Sequence, residues 1–276
     1  MKVASLFSGI GGIDLGFERA GYEIVFANEF ERHAADIYDY HFERNADRRD
    51  ITTVHADEIP DHDVLVGGFP CQTFSSAGRR AGFHDTRGTL FFEIARILDQ
   101  KRPSYFVLEN VKGLLNHDRG RTFGTMLRVM DELRYDVQWQ LLNGRDFGVK
   151  QNRERVIVLG HSRTLPTPEV FPLRATHNPP PRSLATTTID AHYGKGIDNQ
   201  GARTAVGHFD GEGNLIGIRK LTPTECERLQ GFPDGWTAQG ASGAVVDSHR
   251  YRVLGNSVVV PVFEQVATAL RRVVSL

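Results

Sequence analysis

Lys2-Val3-Ala4-Ser5-Leu6-Phe7-Ser8-Gly9-Ile10-Gly11-Gly12-Ile13-Asp14 decides the fold. An apolar stretch suited to a short strand, Lys2–Phe7, runs into a glycine-rich turn, and helical spacing follows over Gly12–Ala20. Glycines between a first strand and a first helix let backbone approach a ligand closely. The alternation continues downstream. Glu23–Asn28, Val64–Val66, Tyr105–Leu108, Val137–Leu142 and Val156–Leu159 read as strands, and Phe30–His41, Thr89–Gln100 and Arg121–Leu133 as helices. Strands alternating with helices predict parallel crossovers in an open α/β sheet, with ligands beyond the carboxyl ends of the strands.

Composition narrows the class. The 276 residues are 40% apolar and 24% charged, which excludes disorder, collagen and a disulfide scaffold. Two cysteines, Cys71 and Cys226, are too few for a closed zinc site, so no metal is expected. No apolar run approaches membrane-spanning length, and the start of the chain lacks a secretory core, so a cytoplasmic protein is expected. Net charge is −1, but residues 1–149 hold 18 basic and 23 acidic side chains whereas residues 150–276 hold 15 and 11. A basic second half suits a polyanion, although a chance fluctuation fits as well.

The texture changes after His161. Six prolines between Thr164 and Pro181 forbid regular helix, and Gly194–Gly217 is glycine-rich, so residues 162–218 read as small, irregular and loop- or β-rich. A helix is predicted at Thr222–Gln230, with Thr222 as cap, Pro223 at the first position and Glu225 closing a capping box. A last apolar helix, about Val258–Val274, should dock back onto the sheet.

The glycine turn has Asp14 where a dinucleotide fingerprint has its third small residue, and an acid beside a pyrophosphate disfavours NAD or FAD. Glu29 ends the second strand 20 residues after Gly9, a spacing suited to ribose hydroxyls, and Asp50 is placed to accept from an adenine amino group. An adenosyl cofactor such as S-adenosylmethionine follows from these; a ligand-free turn with Glu29 merely solvated is the plain alternative.

Three constellations carry chemistry. Cys71 follows Gly67-Gly68-Phe69-Pro70 beyond a strand end, among turn and hydroxyl residues, where a thiolate nucleophile is better placed than a core cysteine. Glu109 ends the strand Phe106-Val107-Leu108; burial there would raise its pKa and suit a proton donor, though a helix cap by Glu109-Asn110 is also open. Arg153 and Arg155 alternate around Glu154 and should share one face of a strand. They could bind a carbonyl, a phosphate or Glu109, or form a surface ladder with Glu154.

Taken in order, these segments resemble the DNA (cytosine-5)-methyltransferase family. The motifs are Phe7-Ser8-Gly9-Ile10-Gly11-Gly12, Asn28-Glu29, Asp50-Ile51, Gly68-Phe69-Pro70-Cys71-Gln72, Asp85–Phe92, Glu109-Asn110-Val111, Gln151–Arg155, Arg219–Pro223 with Gly231-Phe232-Pro233, and Gly255-Asn256-Ser257-Val258. The resemblance covers about 1–161 and 218–276. It implies an S-adenosylmethionine-dependent, Rossmann-like α/β fold with a mostly parallel sheet. Residues 1–161 and 256–276 would form the catalytic domain, and 162–255 a small target-recognition domain.

By resemblance, Cys71 adds to carbon 6 of a cytosine flipped from duplex DNA while Glu109 acts at ring nitrogen 3, with Arg155 and Arg153 at the carbonyl. Carbon 5 then takes the methyl group, leaving S-adenosylhomocysteine. The cofactor positions implied are Phe7, Gly9, Ile10, Gly11, Glu29, Phe30, Asp50, Ile51, Pro70, Leu90, Asn256 and Ser257. A loop carrying Gln72, Ser75, Ser76, Arg79 and Arg80 would close over the DNA.

The departure from the family lies in recognition. The variable stretch is short, about 162–184, with Arg163, Arg174, His177, Asn178, Arg182, Lys195 and Arg203 as candidates for phosphate or base contact. A short target, a partner chain supplying recognition, or weak sequence preference all fit. A monomer working beside a cognate restriction endonuclease is expected; a tRNA cytosine-5 methyltransferase is the rival on the same scaffold.

Overall fold

The computed structural model describes residues 1–69, 90–175, 186, 188–193, 205–212 and 214–274. Its first half alternates as expected: β1 (Lys2–Leu6), α1 (Gly12–Arg19), β2 (Glu23–Asn28), α2 (Arg32–His41), β3 (Val64–Gly68), α3 (Leu90–Lys101), β4 (Tyr105–Val111) and α4 (Arg121–Glu132). Then come β5 (Tyr135–Asn143), β6 (Glu154–Ser162), the hairpin β7 (Ala205–Phe209) and β8 (Leu215–Lys220), and α5 (Pro223–Gln230). A two-residue ladder, β9 (Gln239–Gly240) and β10 (Gly243–Ala244), precedes α6 (Asp247–Asn256) and α7 (Val260–Val274).

The main sheet has the order β2-β1-β3-β4-β6-β5. Neighbours from β2 to β4 are parallel, but β6 is antiparallel to both β4 and β5. The sheet is thus mostly parallel, as expected, and β6 is the strand that departs from the parallel crossovers. Only residues 144–153 join β5 to β6, holding a single 3-10 turn at Gly144–Phe147. A parallel return needs a dozen or more residues, so β6 must reverse. The reversal brings the start of β6 to the carboxyl end of β4, with Val111 opposite Arg155 and Glu109 opposite Ile157.

Helices cover both faces. Phe91, Ile94, Leu98, Met126 and Met130 from α3 and α4 pack on one side with Leu65, Phe106 and Val156. On the other, Phe17 of α1 and Val262, Phe263 and Val266 of α7 meet Val3, Val66, Val107 and Ile157. The stretch 247–274 is long and apolar enough to cross a membrane by composition, yet 61% of its apolar window is buried and it breaks between α6 and α7. A third cluster seats Ile189, Tyr193, Leu221, Cys226, Trp236, Tyr251 and Leu254 against Ala35, Ile37 and Tyr38 of α2.

Local chemistry sets the ends. Thr222 Oγ1 accepts from Glu225 N at 3.2 Å and Glu225 Oε2 accepts from Thr222 N at 2.7 Å, the capping box read from the sequence. At the outer edge, the side-chain amides of Gln138 and Gln140 on β5 hold the backbone of residues 168–173. Gln140 Nε2 donates to Leu173 O at 3.0 Å and its Oε1 accepts from Leu173 N at 2.8 Å. Gln138 Nε2 donates to Pro168 O at 2.6 Å.

Phe263 is 1% exposed within the α1–α7 face. Phe263→Ala should cost about 3–5 kcal/mol of unfolding free energy in urea titration. A loss below about 1 kcal/mol would mean that α7 is not docked in this core.

Candidate active site

A cavity of about 500 Å³ opens at the carboxyl ends of β1–β4. Glu29, Phe30 and Asp50 line its β2 side and Glu109, Asn110, Arg153 and Arg155 its β4–β6 side, and Phe7, Gly9, Ile51, Gly68, Phe69, Leu90 and Asn256 complete the lining. The volume suits a nucleoside-sized ligand.

Phe7, Gly9 and Gly11 all have positive φ, at 54°, 57° and 82°. This chain path turns Gly9 N toward Glu29, whose Oε2 accepts it at 2.7 Å. Glu29 Oε1 accepts from Glu31 N at 2.7 Å, so the carboxylate is fixed in orientation while each oxygen keeps further accepting capacity. Burial raises the Glu29 pKa, and these two amides oppose that rise. Asp50 Oδ1 accepts from Thr52 N at 2.9 Å, and that bond first, then the Thr52 hydroxyl, holds its carboxyl below the usual range. Phe30 is 69% exposed at the rim. Two carboxylates at this end repel a pyrophosphate and suit hydroxyl and amino donors, which is the polarity of an adenosine.

Two implied cofactor positions, Ile10 and Gly11, do not line this cavity, and neither does Asp14, read above as an acid beside the ligand. Ile10 is buried, and its carbonyl accepts from Trp236 Nε1 at 2.9 Å, so it does not line the cavity. Gly11 is needed for packing: a Cβ there would fall 2.2 Å from the Phe42 ring. Asp14 does not face the ligand. Fully buried, it accepts from Ser5 Oγ at 2.9 Å and Tyr38 OH at 3.2 Å, and burial pushes its carboxyl up to about 7. Ser257 lines a small neighbouring pocket of about 40 Å³ with Ser8 and Glu109.

At the other end, Arg155 Nε donates to Glu109 Oε1 at 2.7 Å. Glu109 is 8% exposed; burial pushes its pKa up, opposed by the charges of Arg155 and then Arg153. Gly68 sits opposite it in the ladder, and a Cβ on Gly68 would come within 2.9 Å of Glu109 Oε2. The second glycine of Gly67-Gly68 thus makes room for the carboxyl. Asn110, read from the sequence only as a companion of Glu109, donates from Nδ2 to Phe69 O at 2.9 Å and accepts from Val111 N at 2.8 Å. It pins the backbone next to Pro70-Cys71. Its only sequence signal was its place beside Glu109.

Arg153 does not pair with Arg155 on a strand face. It precedes β6, is 2% exposed, and donates to the carbonyls of Ile189, Gly255 and Ser257. Burial pulls its pKa down to about 9.

Pro70, Cys71, Gln72, Ser75, Ser76, Arg79, Arg80, His177, Asn178, Arg182, Lys195 and Arg203 lie outside the described residues. The other cysteine, Cys226, is a core residue whose thiol burial pushes up to about 12. Arg163 is placed away from the site. Ser162 N bonds Ser104 O, before the start of β4, so Arg163 sits at the opposite edge of the sheet, roughly 20 Å from Glu109 by strand rise. There it pairs with Asp131 and Asp136. Arg174 is exposed just beyond the segment held along β5.

Fold and site together define a methyltransferase of the α/β class. The family model of the C-5 cytosine-specific DNA methylases matches residues 1–210 and 185–272, and the chain belongs to that family. It is a DNA cytosine-5 methyltransferase, an S-adenosylmethionine-dependent enzyme. It is 39% identical over 310 aligned positions to the type II methyltransferase M1.ScrFI of Lactococcus lactis subsp. cremoris, covering 99% of this chain and 78% of that protein. It is 38% identical to M.NgoBI of Neisseria gonorrhoeae, covering 100% and 93%. Among solved structures, Schizosaccharomyces pombe Dnmt2 superposes with a TM-score of 0.77 at 21% identity over the whole of both chains, a likeness of fold.

Because folding raises the Glu109 pKa above its ordinary 4.5, the folded state holds that proton to higher pH than the unfolded chain. Glu109 therefore lowers stability as pH rises past 4.5. Glu109→Gln leaves Arg155 unpaired at every pH, but its stability relative to the parent should improve as pH rises from about 4.5 to 8. A pH-independent difference in urea midpoints would contradict the buried, raised carboxyl.

Proposed function

We propose that this enzyme methylates carbon 5 of a cytosine flipped out of duplex DNA, with Cys71 as nucleophile and Glu109 as the acid at ring nitrogen 3. The observation that carries the reading is the divided cavity. Its Glu29–Asp50 end is acidic and open to adenosine, and its Glu109–Arg155 end is a buried acid held by a guanidinium. Bound there, S-adenosylmethionine supplies an electrophilic methyl group, and S-adenosylhomocysteine is left. Glu29 would accept from the ribose hydroxyls, Asp50 from the adenine amino group, and Phe30 would stack on the adenine. Asn256 and Ser257 would meet the same ligand from the far end of the chain.

Cytosine carbon 5 is a weak nucleophile, so the ring is activated first. The Cys71 thiolate forms a bond to carbon 6 while Glu109 gives its proton to nitrogen 3, and Arg155 steadies the neighbouring carbonyl oxygen. The electron pair gathered at carbon 5 takes the methyl group. Loss of the carbon 5 proton to a base then re-forms the double bond and expels the thiolate, and nitrogen 3 returns its proton to Glu109. Burial raises the Glu109 pKa, which favours the proton-bearing form that this step needs.

Target reading is assigned to residues 162–255, with Arg174 and Arg182 at the DNA, and the loop bearing Gln72, Ser75, Ser76 and Arg79 closing over it. The 310-position alignment with M1.ScrFI exceeds the 276 residues here, so that relative carries residues this chain lacks. This supports a reduced recognition region and a short target, read by a monomer. The type II relatives support a setting beside a cognate restriction endonuclease in the bacterial cytoplasm, on the nucleoid.

Bisulfite sequencing of plasmid DNA from cells expressing the chain should show protected cytosines within one short motif, and none with Cys71→Ala. Cys71→Ala should bind S-adenosylhomocysteine within about two-fold of the parent, since the thiol acts only in the chemistry. Residual activity in that variant would sink the nucleophile assignment. Protection of tRNA rather than plasmid cytosines would move the substrate class.

A further inference from the structure

Arg153 has a place in the fold that its position beside Arg155 does not explain. Its guanidinium joins three backbone carbonyls from two distant parts of the chain. Nη1 donates to Ile189 O at 2.9 Å, and Nη2 to Gly255 O at 3.0 Å and to Ser257 O. Gly255 and Ser257 flank Asn256, which lines the large cavity. Ile189 belongs to a segment laid against residues 150–152: Asn152 N donates to Thr186 O at 2.9 Å and Thr188 Oγ1 to Asn152 O at 2.7 Å. The two parts touch backbone to backbone, for a Cβ on Gly255 would fall 2.2 Å from Ala191 N.

The same segment anchors the β7–β8 hairpin. Tyr193 OH accepts from Leu221 N at 2.9 Å, just past the end of β8, and Tyr251 OH of α6 donates to Leu221 O at 2.7 Å. Both ends of the excursion 194–220 are thereby fixed to α6. The helix ends at Asn256, and Arg252, one turn earlier, pairs with Glu31, whose amide is held by Glu29 at the cofactor end. α6 is a strut with the hairpin base along its middle and the cavity at its end.

We propose that Arg153 is a positioning residue that couples the cofactor seat at Asn256 to the base of the β7–β8 hairpin, so that filling the cavity stiffens the backbone from which the hairpin projects. The inference rests on the reading of the cavity as the S-adenosyl site. A guanidinium is a planar fork with fixed donor directions, so fixing two of its acceptors fixes the direction offered to the third. A ligand that orders Asn256 orders the flanking carbonyls, and through Arg153 it orders Ile189. By linkage, DNA held on the hairpin side then tightens the cofactor by the same factor.

Hydrogen exchange of the full chain, with and without S-adenosylhomocysteine, tests this. In the parent, amides of residues 7–11 and 29–31 slow at the cavity, and those of 188–193 and 215–222 slow about five-fold or more. Arg153→Met, close in length but without donors, should keep the slowing at 7–11 and 29–31 and lose it at 188–193 and 215–222. A merely structural role would lower overall stability yet leave the ligand-dependent difference in place. Should Arg153→Met fail to fold, Tyr251→Phe removes one hydrogen bond at the hairpin end of α6. It should lose the slowing at 215–222 and keep it at 188–193. Equal slowing in either variant and the parent, or a parent that slows only at the cavity, overturns the coupling. No slowing anywhere, with no heat of binding, overturns the reading of the cavity and the coupling with it.

Discussion

Arg155 and Glu109 meet across two antiparallel strands with 2.7 Å between Nε and Oε1, and the reactive end of the molecule is arranged around that pair. Removing a carboxylate and a guanidinium from water costs several kcal/mol per ion, and mutual attraction offsets this only with good geometry. Here β6 supplies the geometry by running backwards, which a ten-residue connection without a helix compels. On the opposite side of β4, the parallel strand β3 supplies space through Gly68. A carboxyl that is both buried and partnered sits between two protonation states, which is the condition an acid catalyst needs.

The cavity owes its specificity to a separation of charge along its length. Glu29 and Asp50 stand on the β2 side, Arg153, Arg155 and the paired Glu109 on the β4–β6 side, and Phe7, Ile51 and Phe69 add apolar lining. The strand order enforces the arrangement, because Glu29 follows β2 whereas β4 and β6 carry Glu109 and Arg155, with β1 and β3 between them. Asn110 adds a link to Phe69 at the end of β3, so that residue takes its position from the strand that bears Glu109.

Much of this was legible in the sequence where the signal is local. The capping box at Thr222–Glu225, the strand-turn-helix at Phe7–Gly12 and the place of Glu29 beside Gly9 all depend on residues a few positions apart or on a fixed spacing. What the sequence did not reveal is set by tertiary neighbours. Strand direction at β6 followed from a connection length, whereas alternation suggested another parallel strand. Alternation likewise put Arg153 on a strand face, but the strand starts one residue later and the side chain turns to carbonyls over 100 positions away. Gly11 and Asp14 looked like ligand neighbours because a glycine motif was assumed to face outward; both face Tyr38 and the core of α2.

The glutamine pair on β5 has a consequence for how such enzymes vary. An exposed edge strand offers unpaired amides and carbonyls to any other chain, and is a route to aggregation. Gln138 and Gln140 close that edge with side-chain amides that imitate a neighbouring strand, and the chain they hold is the first part of the variable region. The stretch after β6 therefore begins as a seal on the sheet. Changes of length beyond Leu173 leave these four hydrogen bonds, and with them the covered edge, in place.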